Sequence, residues 1–184
     1  MPEMSIRSGM PDYRRNRVAG GTYFFTVNLA NRRSDLLVRE VETLRACVRA
    51  VRLTTPFHID SWVILPDHMH CIWTLPEDDT DYSGRWWDIK VRFSKAGLKR
   101  PDGLVRNGRG IWQKRFWEHT IRDERDYRNH MDYVHFNPVK HGFVAHPAAW
   151  PYSTFQKCVA LGLYDPAWAA PDNVTMSSGM GERV

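Results

Sequence analysis

The chain has 184 residues, 42% of them hydrophobic, with 26 Lys and Arg against 21 Asp and Glu and a formal net charge of +5. That length suits one domain with its own core, and the mild positive excess points to an anionic partner and away from an acidic disordered segment. Three scattered cysteines without a CxxC pair argue against a disulfide framework or a cysteine zinc site, and the absence of an apolar run of about 18 residues or an apolar leader argues against membrane and secreted classes. The expected location is the cytoplasm.

The charge is unevenly placed. Residues 1–33 hold six Arg against two acids, residues 34–83 four Arg against nine acids, and residues 84–128 thirteen cations against six acids. Aromatics (Trp86, Trp87, Phe93, Trp112, Phe116, Trp117) are interleaved with the cations of the third stretch. A basic groove with stacking rings is how proteins hold single-stranded nucleic acid. The same pattern also arises when the rings form core and the charges face water.

In chain order, a basic lead and a Gly20-Gly21 turn precede Thr22–Leu29, whose β-branched and aromatic residues predict a strand. Ser34 or Asp35 can cap a helix with Val41, Leu44, Val48 and Val51 at helical spacing, closed near Pro56. Residues 57–65 and 68–75 read as two strands joined around Pro66-Asp67. Ser83 opens a second amphipathic helix that aligns Trp86, Ile89, Phe93 and Ala96, and after a Gly/Arg-rich loop the run Ile111–Phe116 predicts another strand. A third helix is expected from Asp123 to about Phe136, because Pro138 disfavours helical geometry at Asn137. This order predicts an α+β, ferredoxin-like antiparallel sheet with helices on one face, plus an added C-terminal helix that carries Tyr133.

Chemistry concentrates in two places. On a strand, His68 and His70 point to the same side and can converge on one ion, while Met69 faces the core. On the third helix, Tyr133 and Asn137 lie four residues apart on one face with His130 one turn earlier, and Tyr127, Met131 and Val134 form a separate packing stripe. Tyr133 is therefore expected to face polar surroundings. A phenol with a reference pKa of about 10 needs help as a nucleophile. Two imidazoles and an amide oxygen leave open positions on Mg2+ or Mn2+, which could polarise a phosphate in line with the phenol.

These residues carry a family resemblance. The chain resembles the REP-associated tyrosine transposases, relatives of the single-tyrosine HUH transposases of simple bacterial insertion sequences. The matching pieces are Tyr13-Arg14-Arg15, Gly21–Val27, Trp62–His70, Ile111–His119, Tyr133–Gly142 and Trp150–Ser153, in that order. The resemblance implies an HUH domain over residues 11–156, leaving a lead at 1–10 and a tail at 157–184 that is expected to be mobile. It implies that His68, His70 and Asn137 are metal ligands and that Tyr133 is the nucleophile of a single-strand DNA endonuclease and strand transferase. The implied intermediate is a 5′-phosphotyrosine and the implied partner a REP hairpin with its 5′ flanking tetranucleotide, bound by a monomer associated with the nucleoid. Related insertion-sequence transposases carry Gln where this chain has Asn137, so Glu118, His119 and His130 stand as reserve ligands. Arg14, Arg15, Lys95, Arg115 and Lys140 are expected phosphate contacts. The runner-up is a REP-hairpin binding protein with little or no cleavage. A hydrolase of small phosphoesters is disfavoured, since no second histidine motif of that kind is present.

Overall fold

A computed structural model describes residues 16–96 and 110–169. The elements in order are β1 (Thr22–Asn28), α1 (Leu36–Arg39), α2 (Val41–Thr54), β2 (His58–Ile64), β3 (His68–Thr74), α3 (Tyr82–Lys95), β4 (Trp117–Thr120), α4 (Glu124–Lys140) and α5 (Phe155–Ala160). The strands form one sheet in the order β2-β3-β1-β4, and every neighbouring pair is antiparallel. This is the expected α+β, ferredoxin-like arrangement.

β1 is buried on both faces because both are covered. Tyr23, Phe25 and Val27 join the core against α2 and α3, where Trp73 and Trp86 stack at 4.2 Å, whereas Phe24 joins a second core beneath α4. Burying a side chain such as Phe25 contributes about 2 kcal/mol. The free edge of β2 is closed by residues 152–154: Ile64 N–H donates to Tyr152 O at 2.8 Å and Thr154 N–H to Trp62 O at 2.9 Å. That covers backbone groups that would otherwise invite pairing with another chain.

Three local expectations are corrected. The first helix breaks at Glu40, and Leu37 N–H instead donates to Pro66 O at 3.1 Å, drawing Leu36 and Leu37 into the core. The last strand is Trp117–Thr120; residues 111–116 make only a bridge from Trp112 to Leu29 and are held by packing, with Trp112 5.3 Å from Phe93 and Phe116 5.8 Å from Phe25. α4 runs through Pro138 to Lys140. Proline costs that helix one hydrogen bond, but the end is secured by Phe143 N–H to Pro138 O at 3.0 Å and Gly142 N–H to Val139 O at 2.9 Å, with Gly142 at φ 71°. This pair of bonds around a left-handed glycine closes a helix firmly.

Chain direction matters for the site. β3 starts at His68, opposite Asn28 at the end of β1, and α3 and α4 both begin near the other end of the sheet and return. Their C-terminal halves therefore reach the His68 end from opposite faces. The fold also continues past residue 156: Cys158 is buried and Tyr164 donates to Asp132 Oδ1 at 2.6 Å, so the first part of the expected mobile tail is docked on α4. Residues 170–184, like the lead at 1–10, lie outside the described residues.

Candidate active site

Alternation along β3 sends Met69 into the α2/α3 core and His68 and His70 to the α4 face, as the spacing predicts. The two rings lie 5.0 Å apart at 83°, and both side chains are buried. Each is held through Nδ1: His68 to Asp67 Oδ1 at 2.7 Å and His70 to Thr26 Oγ1 at 2.9 Å. A carboxylate only accepts, so His68 Nδ1 carries the proton and its lone pair is on Nε2. Burial pushes the His68 imidazole below its usual pKa, against the opposing pull of Asp67. For Asp67, burial raises the carboxyl, but the His68 hydrogen bond and the His68 and Arg32 charges outweigh it and hold it below the usual carboxylate range. Arg32 Nε lies 3.1 Å from Asp67 Oδ2.

α4 lays its face across this pair. The Tyr133 ring is 5.1 Å from His70 and 5.7 Å from Phe24, Asn137 is fully buried, and His141 stands 5.2 Å from His68. Because the helix continues through Pro138, Lys140 returns to the same face two turns after Tyr133 and donates from Nζ to its hydroxyl at 3.3 Å. The four-residue spacing of Tyr133 and Asn137 thus holds, and Tyr133 meets polar groups in His70 and Lys140 as expected, but buried rather than at the surface: it is 1% exposed and shares a core with Met131 and Val134. Tyr127 packs against the same core as Met131 and Val134, as its place in the packing stripe predicts, and its hydroxyl donates to Asp60 Oδ1 at 3.1 Å.

The reserve ligands fall elsewhere. Glu118 pairs with Phe25 in register and faces the other side of the sheet, near the Tyr82 hydroxyl at 3.5 Å. His119 and His130 stack at 4.6 Å and gather around Asp126, whose carboxylate also takes Arg122 Nε at 3.0 Å. Phe24 stands between this cluster and the histidine pair, 4.8 Å from His130 and 5.6 Å from His70. For Asp126, burial is outweighed by hydrogen bonds from Arg122 and His119, which hold its carboxyl well below the usual range; burial pushes His130 down. The cluster therefore ties the start of α4 to β4.

Two outcomes follow for stability. Asp126→Asn removes the anion that three cationic or imidazole groups face, and denaturant titration should show a loss of about 2 kcal/mol; an unchanged midpoint would contradict the clamp. Both pKa values are depressed on folding, so the unfolded chain binds more protons on acidification. The clamp's contribution is complete at neutral pH and is lost as the pH falls, first below the ordinary imidazole value of about 6.5 and then through the carboxylate range. The denaturation midpoint should be lower at pH 5 than at pH 7, and a higher one would reverse the assignment.

The donor set, two oriented imidazoles and a buried carboxamide oxygen, is compatible with a divalent metal that retains open positions, and hydrogen bonds from ligand histidines to Asp67 and Thr26 are the kind that fix ring orientation. Sequence reasoning did not find Thr26, Asp67 or His141. All three lie within the matched pieces, but nothing in the spacing gives them a role, and the part played by Thr26 shows only through the register that sets it against His70. Among the expected phosphate contacts, Lys95 and Arg115 are exposed, Lys140 meets Tyr133, and Arg14 and Arg15 lie outside the described residues.

No family model matches the chain. A REP-associated tyrosine transposase of Escherichia coli is 52% identical over 176 residues, covering 95% of this chain and 99% of that protein. A Haemophilus influenzae relative is 39% identical over 169 residues, 89% of this chain and 96% of its own. Among solved structures, a REP-associated tyrosine transposase bound to a REP hairpin superposes with a TM-score of 0.84 at 52% identity, covering 95% of this chain and 99% of that one.

Proposed function

The chain belongs to the REP-associated tyrosine transposase family, and from that premise we propose that it binds REP hairpin DNA and cuts and rejoins single-stranded DNA through a 5′-phosphotyrosine at Tyr133. The observation that carries this reading is the placement of Tyr133 directly over His70, with Asn137 and Lys140 on the same helix face. His68, His70 and Asn137 would hold a divalent metal, Mg2+ or Mn2+, whose chemistry there is Lewis-acid polarisation of the scissile phosphate. Asp67 and Thr26 keep the two imidazoles in register for that task.

The Tyr133 oxygen forms a bond to phosphorus and releases its proton; the bond from phosphorus to the 3′ oxygen breaks, and that oxygen takes up a proton to leave a 3′-OH. Lys140, donating to the phenol oxygen, lowers the cost of releasing the phenol proton. The phosphotyrosine retains the energy of the broken bond, so rejoining needs no ATP. The proposed DNA partner is the hairpin with its 5′ flanking tetranucleotide, engaged by a monomer at the nucleoid. No described helix is long and apolar enough to cross a membrane.

End-labelled oligonucleotides test the reading. With Mn2+ or Mg2+, a 3′ label should move with the protein on a denaturing gel and a 5′ label should stay on a free fragment; the reverse pattern would overturn the 5′ linkage. Lys140→Ala should slow adduct formation about 10- to 100-fold, with Lys140→Arg partly restoring it. An equal loss in both variants, confined to DNA affinity, would make Lys140 a phosphate contact only.

The burial of Tyr133 favours one second reading, a hairpin-binding protein with little or no cleavage. Hairpin binding without adduct across both metals and both DNA strands would select it.

A further inference from the structure

A groove of about 360 Å³ lies between the outer face of α3 and residues 110–114. It belongs to neither the candidate active site nor the Asp126 cluster. Trp86, Ile89 and Phe93 use the buried stripe of α3. Trp87, Lys90, Val91, Ser94 and Lys95 form the neighbouring stripe that lines the groove, and Trp112 and Lys114 line it from across. Trp87 is 67% exposed, an unusual position for a ring that could have packed inward, and Lys90 Nζ sits 5.7 Å from the centre of the Trp112 ring. Three lysines line the groove, and none of its described lining residues is acidic. Cations select a polyanion, and flat exposed rings select unpaired bases, since a paired duplex hides its base faces.

The groove also lies at the right end of the sheet. Gln113 N–H donates to Asn28 O at 3.0 Å, and Asn28 is the register partner of His68. The C-terminal half of α3 and the Tyr133–Lys140 half of α4 thus flank the same sheet end on opposite faces. Arg32, bound to Asp67, stands at that end as well.

We propose that this groove is a subsite for unpaired DNA continuous with the strand presented to Tyr133, where Trp87 stacks on a base and Lys90, Lys95 and Lys114 meet phosphates. The proposal rests on the DNA strand-transfer reading and extends it to a second contact on the same strand.

The test measures binding by fluorescence anisotropy, without metal, of a labelled REP hairpin with unpaired extensions on both sides and of the same hairpin blunt-ended. Trp87→Ala, and separately Lys95→Ala with Lys114→Ala, should weaken binding of the extended hairpin about tenfold and leave the blunt hairpin unchanged, with Trp87→Phe close to the unsubstituted chain. The double lysine variant should lower the log–log salt slope by about 1.4. All these positions are on the surface, and a matching melting temperature verifies folding. Equal losses on both DNAs would assign the groove to the stem, and no loss on either would remove it from DNA binding; both overturn the proposal. Adduct formation at Tyr133, assayed on the same preparations, separates the two claims: an adduct with no groove effect sinks only the subsite, and a groove effect with no adduct sinks only the strand-transfer chemistry.

Discussion

Tyr133→Phe is expected to abolish covalent adduct formation and strand transfer, with rates falling by at least about 10³-fold, because no other group replaces an enzyme's nucleophile at comparable speed. The substitution is mild for the fold. The ring keeps its contacts with His70 at 5.1 Å and Phe24 at 5.7 Å and gives up the hydroxyl, with the bond from Lys140. Stability should change by less than about 1.5 kcal/mol, the net value of one hydrogen bond. Hairpin affinity should be unchanged, since binding does not require the phenol oxygen. More than a few per cent of residual adduct would remove Tyr133 from the mechanism.

Loss of the histidine pair should be nearly as severe. His68→Ala combined with His70→Gln takes away both imidazole donors, and isothermal titration with Mn2+ should find no specific site where the unsubstituted chain has one. Cleavage should then fall to the level of Tyr133→Phe while hairpin binding persists. Thr26→Val leaves both imidazoles but removes the partner of His70 Nδ1, and should weaken metal affinity about 10- to 100-fold. If the double histidine variant still cleaves at near the original rate, the metal assignment is wrong whatever the fate of Tyr133.

The sheet was legible because its strands are short runs of β-branched and aromatic residues between clear turns, and the pairing order follows from ferredoxin-like connectivity once the elements are named. The facing of His68 and His70 needs only the two-residue period of a strand. Elsewhere tertiary contacts overrode local signals. Ile111–Phe116 has strand composition but spends its apolar side chains on α3, so the ladder forms with the next four residues. Pro138 suggested a stop before Lys140, yet the hydrogen bonds closing α4 after it sustain another turn, which is what brings Lys140 to Tyr133. The burial of Tyr133 was hidden for a related reason: with both sheet faces covered, a polar-looking helix face is also a packing face. Thr26 depends on register and has no signature in spacing; the Asp126 cluster does carry helical four-residue spacing from Arg122 to Asp126 to His130, but the closure of His119 from β4 onto Asp126 is visible only in the folded chain.

The proposed chemistry turns on a covalent bond between Tyr133 and the 5′ end of cut DNA. Proteolysis of the trapped complex followed by mass spectrometry reads it directly. The expected result is a nucleotide-bearing peptide that contains Tyr133, with fragment ions placing the phosphate on its phenol oxygen. A modified peptide centred on another residue such as Tyr127 or Tyr152, or cleaved DNA with no modified peptide at all, would contradict it.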